Sequence, residues 1–167
     1  MNTPDTAWEA RLSELWKKLD ELDANDFVAQ IEALTSELSP DNGVGLFERG
    51  CAQDSTGHPE NAVPLYQAAI QSGLTGIRRR RATIQMASSL RALGDAKQAA
   101  ALLTAELNEP SDELDGAVHG FLALALVNLG REREAASISL KALAKYLPRY
   151  NRSLARYAHE IVNQAKM

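Results

Sequence analysis

The chain has 167 residues, 45% hydrophobic and 24% charged, enough for one packed domain or about four helix pairs. Aromatic residues make up only 5% while Ala and Leu abound, which suits closely packed helices and argues against a β-sandwich. The net charge of −4 excludes a global attraction to nucleic acid or anionic membranes, so any anion site has to come from local clustering. Cys51 is the single cysteine, so no internal disulfide forms. The first residues carry acids and no apolar run, unlike a signal peptide, and no stretch approaches a membrane-spanning length. A reducing, cytoplasmic setting is expected, with neither nucleic acid nor membrane as partner.

Thr3-Pro4-Asp5 opens the chain. Thr3 or Asp5 can cap a helix, and Pro4 suits a first turn. Trp8, Leu12, Leu15, Leu19 and Leu22 then recur at helical spacing, and Trp8 and Trp16 are expected to pack this helix on its neighbours. Asp23-Ala24-Asn25-Asp26 interrupts the pattern and offers a new N-cap. Phe27, Ile31, Leu34 and Leu38 form the next stripe, which Ser39-Pro40-Asp41-Asn42-Gly43 ends. Residues 1–42 therefore read as a helical hairpin.

A repeated figure follows. Leu93-Gly94-Asp95, with Ala99 behind it, has counterparts at Gly57 with Ala62 and at Gly130 with Ala135. The glycines are 37 and 36 residues apart, and a fixed period of this size marks a helical repeat array. Gly57, Gly94 and Gly130 are placed to end a helix in the left-handed conformation. Gly50, Ala87 and Ala123 on the first helix of each unit, and Ala62, Ala99 and Ala135 on the second, are small enough to let the two helices lie close. From Pro148 onward Leu154, Tyr157, Ala158 and Ile161 give one more amphipathic helix.

Residues 43–148 resemble three tetratricopeptide repeats, at about 43–79, 80–115 and 116–148, of the kind found in small stand-alone bacterial repeat proteins. The quoted positions are Leu46, Gly50 and Gln53 followed by Ala62, Tyr66 and Ala69. Next come Met86, Ala87 and Leu90 followed by Ala99 and Leu103, then Leu122, Ala123 and Leu126 followed by Ala135 and Ala142. Arg49, Glu106 and Ser139 depart from the family pattern, and the period exceeds the usual value of about 34. The resemblance implies an all-α, right-handed superhelical array of antiparallel helix pairs. Residues 1–42 would form a degenerate repeat or cap and 149–167 a C-terminal capping helix, all within one structural domain.

Chemistry-bearing constellations are absent from the sequence. His58, His119 and His159 are scattered without ligand spacing, Cys51 reads as a small apolar filler, and no phosphate-binding glycine run occurs. No catalytic, metal or cofactor residue is assigned. The one unusual local feature is Arg78-Arg79-Arg80-Arg81, four cations near a helix start whose dipole opposes them. It reads as a solvated basic corner partnered by acids, with a small-anion or nucleotide sensor as an alternative.

The resemblance implies that first-helix residues line an inner, concave face that holds a partner. In this sequence those are Phe47 and Asp54 in the first repeat, Arg81, Gln85, Ser88 and Arg91 in the second, and Phe121 and Asn128 in the third. The terminal helix adds Arg152, Arg156 and His159. The carboxylate clamp of some family members is incomplete, because Ile84, Ser88 and Phe121 stand at its other places. The expected function is a non-enzymatic scaffold binding a protein or peptide, with arginines favouring acidic segments. A self-assembling homo-oligomeric module is the alternative.

Overall fold

A computed structural model of the chain describes residues 4–163, and all structural statements below concern those residues. They form nine α-helices and no strand. The helices are α1 (Thr6–Trp16), α2 (Ala24–Thr35), α3 (Gly43–Ser55), α4 (Pro59–Gln71), α5 (Gly76–Ala92), α6 (Ala96–Glu106), α7 (Asp115–Asn128), α8 (Glu132–Ala144) and α9 (Asn151–Asn163). The chain divides into two compact units between Ser89 and Leu90, inside α5. Each is described by itself.

In the first unit, α1 packs on α2, α2 on α3 and α3 on α4. Asp5 caps α1 by accepting the Trp8 N–H at 2.8 Å. Pro4 therefore precedes the cap instead of occupying the first turn, and Thr3 lies outside the described residues. The α1 helix stops at Trp16, earlier than the Leu19 and Leu22 spacing suggests. Residues 17–22 continue in tight turns, with bonds such as Lys18 N–H to Leu15 C=O and Glu21 N–H to Lys18 C=O. Asp23 then caps α2, and Asn42 caps α3 by accepting from Val44 and Gly45. Trp8, Leu12, Leu15, Phe27, Ile31, Leu34 and Leu38 form the hairpin core. The buried Trp8 indole N–H donates to the Leu34 carbonyl at 3.1 Å, satisfying a polar group that the core would otherwise strand.

In the second unit, α6 packs on α7, α7 on α8 and α8 on α9. The core is made of small and medium side chains: Ala99, Leu103, Val118, Leu122, Ala125 and Leu126 are at most 3% exposed. Ala158 is the fully buried residue of α9, with Leu154 and Ile161 half-buried beside it. Tyr157 is a correction to the sequence expectation, since its ring is 53% exposed. The contact of α9 centres on Ala158, and Tyr157 stands at the margin of that stripe.

The three repeat glycines act alike. Gly57, Gly94 and Gly130 have φ of 86°, 94° and 70°. At each helix end the glycine N–H and the following N–H turn back onto carbonyls of the last turn. His58 N–H reaches Gln53 C=O at 2.9 Å, Asp95 reaches Leu90 at 2.8 Å, and Arg131 reaches Leu126 at 2.9 Å. This is the Schellman closure, in which a left-handed residue lets orphan carbonyls find donors.

Candidate functional site

Three helical stripes of the first unit converge on one cavity of about 360 Å³. Glu9, Leu12, Ser13 and Trp16 come from α1, Glu48, Cys51 and Ser55 from α3, and Arg78, Arg81 and Gln85 from α5. On each helix the spacing is three, four or seven residues, so each set shares one face.

Arg78 is the hub. Its two Nη atoms grip the Glu9 carboxylate at 2.8 and 2.6 Å, and its Nε donates to Glu48 Oε1 at 3.3 Å. The other Glu48 oxygen accepts the Trp16 indole N–H at 2.9 Å. Glu48 is 3% exposed. Burial pushes its carboxyl above the ordinary carboxylate value, against the opposing pull of Arg78, Trp16 and Arg81. That pull is incomplete because Arg78 divides itself between two acids. Arg78 in turn is raised, first by the hydrogen bond to Glu9 and further by Glu48.

Cys51 is 1% exposed, and its thiol donates to Gln85 Oε1 at 3.4 Å. Burial, followed by the charge of Glu48, pushes it up to about 12. The sulfur therefore stays a protonated thiol at neutral pH and is a poor nucleophile. Tyr66 is likewise held up by burial and by its neighbours Cys51 and Asp54.

Arg81 is different. Its guanidinium carbon lies 5.1 Å from the centroid of the Phe47 ring, a cation–π contact; its side chain is exposed, and its charge acts on the buried Glu48 without a hydrogen bond between them. The four-arginine run thus separates into different roles. Arg78 is spent on two acids, Arg80 is 5% exposed and Arg79 is half-buried. Both Arg79 and Arg80 have partners of their own. The run is a basic corner partnered by acids at Arg78, with Arg81 exposed and Arg80 drawn into the fold.

Of the residues expected at a binding face, Arg81 and Gln85 reach this cavity. Phe47 lies beneath Arg81, fully buried. Asp54 is occupied internally, accepting from Ser89 Oγ at 2.7 Å and from the Tyr66 hydroxyl at 3.4 Å. Ser88 is half-buried outside the cavity. In the second unit, Arg91 donates to Asn128 Oδ1 at 3.3 Å and Phe121 is half-buried. Arg152, Arg156 and His159 are exposed on α9. Arg156 sits over the Tyr157 ring at 4.7 Å and 3.9 Å from Glu160. Sequence reasoning missed Glu9, Ser13, Trp16 and Glu48. The available signal was their helical spacing, which marks the α1 face as a partner of the α3 and α5 faces.

Among the described residues no group of three or more metal-binding side chains forms, and no helix is long and apolar enough to cross a membrane. A family model described as Tetratrico peptide repeat matches residues 43–161. No curated protein and no solved structure matches the chain.

Proposed function

The chain belongs to the tetratricopeptide repeat family, whose members generally serve as protein–protein interaction modules, and we propose that it is a non-enzymatic cytoplasmic scaffold binding an acidic peptide segment. The partner lies on the first-helix face of the first unit, and one of its carboxylates enters the cavity beside Arg81. The observation that carries this reading is the contrast between two neighbouring arginines. Arg78 is saturated by Glu9 and Glu48, whereas Arg81 is exposed and held over Phe47. A guanidinium so placed offers a pre-oriented fork to a carboxylate, with less side-chain freedom to lose on binding. Gln85 and the hydroxyls of Ser13 and Ser55 line the same cavity and supply further polar contacts.

The test is a peptide array that varies Asp and Glu content, read with the wild-type protein and with Arg81→Glu. Wild type retains the acidic peptides, and Arg81→Glu weakens them by about tenfold or more, equivalent to about 1.4 kcal/mol. Equal retention of acidic and neutral peptides by the wild type, or unchanged binding by the folded variant, overturns the reading.

A further inference from the structure

Arg49 takes no part in the Arg81 cavity. On α3 it follows Gly45 and Leu46 by four and three residues, so the three share one face. That face meets the C-terminal end of α2 across a second cavity of the first unit, of about 320 Å³. The Arg49 side chain is half-buried. Its Nε is shut off from solvent without a hydrogen-bond partner, and among the described residues no carboxylate pairs with the guanidinium. The cavity holds a single acid, Glu32, on the last turn of α2. Glu32 is exposed, and its carboxylate forms no ion pair among the described residues. Two opposite charges therefore line one cavity without meeting.

The wall beside Glu32 favours a cation. Thr35 Oγ1 donates to the Ile31 carbonyl at 2.9 Å and Ser36 Oγ to the Ala33 carbonyl at 2.6 Å. Their hydrogens are committed to the backbone, so both oxygens are left with lone pairs to offer. The end of α2 adds partial negative charge. At the other side the planar fork of Arg49 matches a carboxylate, and Leu38, Pro40 and Leu46 supply apolar surface. A simple carboxylic acid would leave Glu32 unanswered, and a simple amine would leave Arg49 unanswered. A zwitterion answers both.

We propose that this cavity binds a free aliphatic α-amino acid. Its carboxylate lies on the Arg49 guanidinium, its ammonium between Glu32 and the end of α2, and its side chain against Leu38, Pro40 and Leu46. A direct Glu32–Arg49 ion pair would close the cavity instead, but an exposed carboxylate gains little from such a pair. The site shares no residue with the Arg81 cavity. Its ligand is an amino acid and not a peptide, so the two readings fail separately.

The experiment is a proton–nitrogen NMR titration of the full chain with L-leucine. It is carried to about 10 mM, because so small a ligand has few atoms to bind with. L-leucine shifts the Arg49 Nε–H signal and the amides of Ser36 and Gly45, and the shifts saturate. N-acetyl-L-leucine lacks the ammonium and L-leucinamide lacks the carboxylate, and each binds at least about tenfold more weakly. Arg49→Leu weakens L-leucine by at least about tenfold, and Glu32→Gln, at the exposed rim, by about threefold. If Arg49→Leu loses its helical signal in circular dichroism, Arg49→Gln replaces it. No saturable shift with L-leucine, shifts confined to other residues, equal binding of either blocked analogue, or unchanged affinity in either folded variant overturns the proposal.

Discussion

The ring of Tyr66 lies against the backbone of Gly50 so closely that a Cβ at position 50 would stand 2.9 Å from two ring atoms. The contact sets the spacing of α3 and α4, and Tyr66 is fully buried, so the ring has no free volume to retreat into. Two effects compete in Gly50→Ala. Alanine gains about 1 kcal/mol of helix propensity, while over-packing a full core costs about 1–3 kcal/mol. With a buried ring as the obstacle the second effect wins, and a net loss of about 1–2 kcal/mol is expected in chemical denaturation. A variant as stable as the wild type would show that α3 and α4 separate freely.

Gly94 tests a different role of glycine. A Cβ there meets no atom within 4 Å, yet φ is 94°. Any cost of Gly94→Ala is therefore backbone strain at the Schellman closure, about 1–2 kcal/mol. Gly94→Asn loses less than Gly94→Ala, because asparagine tolerates the left-handed region better. Equal losses for alanine and asparagine would mean that the turn relaxes to a different conformation.

Local rules made these positions legible in the sequence. A glycine that ends a helix, or a small residue at a helix crossing, carries its reason within a few residues. The grip of Arg78 on Glu9 does not, since the pair is 69 residues apart and depends on how α1 presents its face. The same holds for Glu48, whose burial was not written in the acidic character of the residue. The end of α1 at Trp16 was also hidden, because Lys17-Lys18-Leu19-Asp20 contains neither glycine nor proline. Asp54 was read as a surface contact, yet Ser89 and Tyr66 consume it from within. Side chains paired across the fold are set by packing that no single segment reports.

Cys51 gives a direct check on the cavity wall. With its thiol pushed up to about 12, about one molecule in ten thousand is a thiolate at pH 8. An aromatic disulfide reagent should label the native protein at least about a thousandfold more slowly than the denatured chain. Labelling at pH 8 then proceeds through transient opening and speeds up with denaturant. Fast native labelling that ignores denaturant would place the sulfur at the surface.

Glu48 links the cavity to pH. Its carboxyl titrates above the ordinary value because burial outweighs the attraction of Arg78, the Trp16 N–H and Arg81, with Cys51 and the Arg78-bound Glu9 as its other neighbours. The folded state then holds the Glu48 proton more tightly than the unfolded chain does. The resulting stabilisation is fully present below the unfolded carboxylate value and disappears as pH rises through the higher folded value. Glu48→Gln keeps the shape but does not titrate, so it isolates this contribution from the other acids. In thermal melts between about pH 4 and about pH 8, the melting temperature of the wild type minus that of Glu48→Gln should fall as pH rises. A difference that stays flat or grows would mean that Arg78 dominates the site and holds Glu48 ionised at or below its ordinary value.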